Sequence, residues 1–134
     1  MIFSIEKVRE TGIIEAKGNT MAKLTFEGSG NVDVLANELI AFFSKSGVSC
    51  TFVDEARNAT NDTVLLVFDK YFMRVENRVS VSVLIYPIEN GIRIEVIGSG
   101  GGQGLFFRFN WGSETSIVRS MGKILLDLGY TEVF

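Results

Sequence analysis

The stretch from Arg78 to Val96 constrains the fold of this chain more than any other. Val79, Val81, Val83 and Ile85 alternate with Arg78, Ser80, Ser82 and Leu84, and Ile92, Ile94 and Val96 alternate with Arg93 and Glu95. A two-residue period sends the aliphatic side chains to one side of a pleated strand and the rest to the other. Asn90-Gly91 lies between the two runs, and Asn-Gly is the strongest short-range hairpin signal. The pattern predicts neighbouring antiparallel strands with one apolar face, which other parts of the chain must cover.

The flanking segments extend this pattern. Leu24 and Phe26 alternate with Lys23, Thr25 and Glu27; Val48, Cys50 and Phe52 alternate with Ser49 and Thr51; Val64 to Tyr71 is a dense β-branched and aromatic run. Short connections between consecutive runs predict an antiparallel meander. Two segments instead have helical spacing. Val32, Leu35, Ala36, Leu39, Phe42 and Phe43 follow a cap at Asn31 or Asp33 and stop at Gly47. Ile117, Val118, Met121, Ile124, Leu125 and Leu128 follow Ser113 as cap, with Glu114 in the first turn and Gly129 as the stop. Leu105 to Asn110 reads as a further strand, and Tyr130 to Phe134 as an edge strand or packed tail.

The expected fold class is therefore α+β. Two layers are expected, an antiparallel sheet of about five to six strands with both helices on one face, in the order β-α-β-β-β-β-(β)-α. At the level of architecture this compares with helix-grip and TATA-binding-protein-like folds, an analogy that says little about function. Residues 1–20 are expected to form an N-terminal extension, with Ile2 to Val8 and Ile13 to Ala16 as a short hairpin around Thr11-Gly12, and residues 21–134 a single domain.

Composition narrows the chemistry. The chain has no histidine, which removes Ser-His-Asp and Cys-His catalysis and His-based zinc sites. Cys50 is the only cysteine, so an intrachain disulfide is impossible and a reducing compartment is the natural setting. The net charge of −3, without a Lys/Arg cluster, argues against nucleic acid as a partner. The first residues, Met1 to Lys7, lack the basic start and long apolar run of a signal peptide, and no apolar run is long enough to cross a bilayer. The expected location is the cytoplasm, with no membrane partner and no cofactor.

One segment looks out of place in a plain scaffold. Gly98-Ser99-Gly100-Gly101-Gly102-Gln103-Gly104 holds five of the chain's 14 glycines. Glycines let backbone N–H groups approach a ligand closely. However, neither a complete G-x-G-x-x-G nor a Walker A pattern is present, since the lone Gly122-Lys123 pair falls inside the second helix. The alternative is a flexible loop or a bulged strand joint. Arg108, Trp111, Ser113 and Glu114 follow. Ser113 at a helix start offers donors to an anion and Trp111 a pocket wall, or else the two form an ordinary cap and a packed aromatic. The candidate ligand-binding residues are thus Ser99, Gly100, Gly101, Gly102, Gln103, Arg108, Trp111, Ser113 and Glu114. No catalytic or metal-ligating set emerges, and Cys50 reads as an inert buried thiol.

From Met21 onward the chain resembles a family of small bacterial proteins known only as a domain of unknown function. The resemblance rests on Met21-Ala22-Lys23 with Phe26, on Asn77-Arg78-Val79-Ser80, and above all on Ser99-Gly100-Gly101-Gly102-Gln103 with Phe106-Phe107 and Trp111-Gly112-Ser113-Glu114. It brings no activity and no catalytic residue. Three functions are consistent with the residues. The first is a noncatalytic domain that binds a small molecule or a protein. The second is an enzyme pairing Glu114 and Arg108 with an anion-binding glycine loop. The third is a self-associating domain, a homodimer formed through the edges of Leu105 to Phe109 and the C-terminal strand.

Overall fold

A computed structural model describes residues 22–45, 50–72, 77–100 and 107–134. Its elements are β1 (Ala22–Gly28), α1 (Val32–Phe43), β2 (Thr51–Arg57), β3 (Val64–Phe72), β4 (Asn77–Ile88), β5 (Gly91–Gly100), α2 (Phe107–Asp127) and β6 (Thr131–Glu132). The strands form a six-stranded sheet in the order β2-β3-β4-β5-β1-β6. Every neighbouring pair is antiparallel. This is the α+β two-layer architecture that the alternation implies.

Register turns the alternation into a core. Phe26, Ile94, Ile85 and Val64 are consecutive cross-strand partners, and so are Leu24, Val96, Val83 and Leu66. Phe26, Ile94, Ile85, Val64, Val96, Val83 and Leu66 are at most 1 % exposed, and with Leu35, Leu39, Met121 and Leu125 of the helices they form one buried cluster. A slip of one residue in any pair would turn this row outward, so the register is strongly specified.

Topology also puts both helices on one face. The crossover β1–α1–β2 passes three strands in one lateral direction, and β5–α2–β6 passes one strand in the other. β1 and β5 are antiparallel, so a half-turn about the sheet normal relates the two crossovers. With the usual common hand for such crossovers, the helices must share a face. The mixed core of both helices on the aliphatic side of the sheet agrees.

Local signals set the ends of the helices. Asn31 is the N-cap of α1, its Oδ1 accepting from the Val34 amide at 2.9 Å. α1 stops at Phe43, and the Ser44 hydroxyl donates to the Ile40 carbonyl at 2.7 Å; Gly47 lies outside the described residues. α2 ends as the sequence implies. Gly129 has φ +102°, its amide bonds to the Leu126 carbonyl, and the Tyr130 amide reaches back to Leu125. That is a Schellman closure, which uses carbonyls a helix end would leave orphaned. The chain then turns into β6 beside β1, an edge strand as expected.

Two expectations need correcting. First, Phe107 to Asn110 is helical rather than a strand, and Ser113 lies inside α2 rather than capping it. Phe107 and Trp111 are in phase with the stripe that continues through Val118, Met121 and Leu125, so one amphipathic helix begins two turns earlier than its polar signals suggest. Leu105 and Phe106 lie outside the described residues. Second, the strand around Cys50 begins after it, at Thr51, and runs on to Arg57 with a register shift between Phe52 and Asp54. That bulge and the charges of Asp54, Glu55 and Arg57 blunt the β2 edge. Val48 and Ser49 lie outside the described residues. The β4–β5 hairpin that Asn90-Gly91 signals is present; its two-residue turn is Glu89-Asn90, and Gly91 opens β5. Neither turn residue has positive φ, so the turn is not the type I′ that Asn-Gly usually makes. The proposed hairpin before residue 20 also lies outside the described residues.

Candidate functional site

α1 packs over β2, β3 and β4, and α2 over β1, β4 and β5. Between the two helices a cleft of ≈ 360 Å³ opens beside Lys70 of β3. Phe42 and Phe43 of α1 form one wall, and Ile117, Ser120, Met121 and Ile124 of α2 form the other. Cys50, Lys70, Lys123 and Asp127 complete the lining. The Phe43 ring leans on the core, its centroid 4.9 Å from that of Phe68, which fixes the wall. A second depression of ≈ 240 Å³ shares Phe42 and Ile124 with the first and continues along Leu39, Ala41 and Leu128, with Glu38 and Lys45 at its rim. The Lys45 ammonium lies 5.5 Å from the centroid of the Phe42 ring.

Cys50 is the one thiol in this cleft, and it is a poor nucleophile. Burial pushes its thiol up to about 11, with Lys70 opposing and Asp69 adding to the shift. Little thiolate forms near neutral pH.

The opposite sheet face carries a polar ladder. The Glu95 side chain is 13 % exposed. Its Oε1 accepts from the Thr25 hydroxyl at 2.7 Å, and its Oε2 from the Tyr86 hydroxyl at 2.9 Å and Arg93 Nε at 3.1 Å. Lys23 Nζ lies 3.6 Å from Oε1, and Arg93 also bridges to Glu27 at 2.9 Å. Burial pushes the Glu95 carboxyl up, but the hydrogen bonds from Thr25 and Tyr86 and the charges of Lys23 and Arg93 more than offset it, so its pKa falls below the ordinary value. Burial and the Glu95 acceptor push the Tyr86 phenol up. A carboxylate with both oxygens occupied and a lowered pKa is a cross-strand clamp rather than a general base. Among the described residues no group of acidic or Cys side chains could hold a metal ion. Among the same residues, no helix is long and apolar enough to cross a membrane.

The residues behind the expected resemblance extend from Met21 to Glu114. The model of a family of unknown function, DUF6054, matches residues 21–129. This chain belongs to DUF6054. No curated protein and no solved structure matches it. The DUF6054 match runs from β1 to the end of α2, so it includes every residue that lines the two depressions and the whole Glu95 ladder.

The structure describes only some of the candidates read from the sequence. Ser99 and Gly100 end β5, paired with Ser80 and Val79, while Gly101, Gly102 and Gln103 lie outside the described residues. Arg108, Trp111, Ser113 and Glu114 occupy the N-terminal half of α2, whose C-terminal half lines the cleft. Arg108 and Glu114 are six positions apart in that helix, which is not one of the spacings that share a helix face. Sequence reasoning missed Lys70, Ser120 and Lys123, which look like ordinary surface positions until the fold brings them to one cleft. It also missed Glu95, whose partners come from other strands and follow only from the register.

Proposed function

We propose that this DUF6054 chain is a noncatalytic ligand-binding domain whose site is the cleft between α1 and α2. The observation that carries this reading is a space of ≈ 360 Å³ with apolar walls from both helices and a few polar groups at its rim. Sites for small ligands have this character and typically occupy about 300–1,000 Å³. The occupied oxygens of Glu95 and the raised pKa of Cys50 favour binding over acid–base or nucleophilic chemistry. The glycine run with Arg108, Trp111, Ser113 and Glu114 is the competing location within the same reading. The reading includes a bacterial cytoplasmic setting, which a lone buried thiol suits.

The test is a thermal-shift screen of the full chain against small acids, nucleotides and lipids, followed by NMR of methyl-labelled protein. A stabilising compound that moves the Met121, Ile117 and Ile124 methyl signals supports the cleft. A compound that moves only amides of residues 99–103 transfers the site to the glycine run. Failure of every compound to stabilise the protein refutes the reading.

A further inference from the structure

We infer that the cleft takes a single-chain amphiphile with an anionic head, its hydrocarbon chain lying between Phe43 and Met121 and its head meeting Lys70 and Lys123. The inference rests on the binding reading above and names the ligand class for the same site.

Three observations carry it. Apart from Ser120, the walls are aliphatic and aromatic side chains from both helices, which suits hydrocarbon rather than a polar ring system. The cations come from separate elements, Lys70 from β3 and Lys123 from α2, and among the described lining residues they outnumber the one carboxylate, Asp127. Lys123 makes no ion pair with another described residue. The second depression shares Phe42 and Ile124 with the first. Phe42 and Leu128 beside it are 36 % and 43 % exposed, apolar surface that the end of a chain leaving the cleft would cover. A volume near the lower bound of ligand sites admits one chain and leaves no room for a second.

The experiment titrates the full chain by calorimetry with octanoate, decanoate and dodecanoate, then with dodecanol, dodecylamine and dodecyl phosphate, all below micelle formation. Affinity should rise about threefold to fourfold per added methylene. Dodecanoate or dodecyl phosphate should bind more tightly than dodecanol, and the stronger of the two identifies a carboxylate or a phosphate head. Lys123→Gln and Lys70→Gln should each weaken the anion about threefold to tenfold and leave dodecanol unchanged, while Asp127→Asn should tighten the anion. Ser120→Trp, at an exposed lining position, should block all of them without unfolding the protein, as circular dichroism would verify. Equal binding of acid and alcohol, or preference for the amine, overturns the anionic head but leaves the binding reading in place. If no member of the series binds, and no compound of the wider screen does either, both fail.

Discussion

Thr25 of β1 and Glu95 of β5 are direct cross-strand partners, and the Thr25 hydroxyl donates to Glu95 Oε1 at 2.7 Å. With Tyr86 and Arg93 on the other oxygen, Glu95 joins β1, β4 and β5 on the face opposite the helices. Glu95→Ala should cost roughly 1–3 kcal/mol in urea unfolding at neutral pH, because it removes charge-assisted bonds and strands their donors. The folded pKa of Glu95 lies below its unfolded value, so the unfolded chain takes up the proton at higher pH than the folded one. The ladder's stabilisation is therefore complete above the unfolded carboxylate value of about 4.3 and is lost as pH falls through the lower folded value. Glu95→Gln should flatten this acid limb. An unchanged limb would show that the charge of Glu95 adds nothing.

Gly91 opens β5 with φ +155°, and a Cβ there would run into the backbone carbonyl of Gly28. Gly129 has φ +102° and nothing within 4 Å of such a Cβ. Alanine should cost about 1 kcal/mol at Gly129 from backbone strain alone, and about 2–3 kcal/mol at Gly91, where a backbone clash adds to it. Melting temperatures of the two variants measure the difference, and equal losses would contradict the close β1–β5 approach.

Asn31 caps α1, whereas Ser113 sits within α2. Asn31→Ala should lose roughly 1 kcal/mol. Ser113→Ala should be neutral or slightly stabilising, since alanine is the better residue inside a helix. A loss of about 1 kcal/mol at Ser113 would instead mean that α2 begins there.

Cys50 should react slowly with thiol reagents. With its pKa near 11, the thiolate fraction at pH 8 falls on the order of a hundredfold below that of an unperturbed thiol at about 8.5. Labelling followed by mass spectrometry should show this deficit in the folded chain and its disappearance in urea. Because Cys50 also lines the cleft, a bound ligand should slow labelling further.

Most of the sheet was legible in the sequence because a two-residue period leaves little freedom. Once Val79 to Ile85 and Ile92 to Val96 each have an aliphatic side, only one family of registers buries both. The start of α2 was not legible. Leu105 to Phe109 has strand composition and Gly112 looks like an interruption, yet Phe107 and Trp111 continue the helical stripe. An apolar helical period that runs in the sequence from Phe107 to Leu125 outweighs local propensity of a few tenths of a kcal/mol per residue.

By itself, then, the amino-acid order determined the α+β class, the aliphatic face of the sheet, a cap for α1 at Asn31 or Asp33 and the Gly129 closure, because each depends on neighbours within a few residues. Only the tertiary structure decided which side chains meet from distant segments. The Glu95 ladder draws on strands separated by up to 70 positions, and the cleft takes its lining from both helices together with Cys50 and Lys70. Neither arrangement leaves a periodic trace in the chain, since cross-strand register and helix separation are set by how the core fills, not by any local preference.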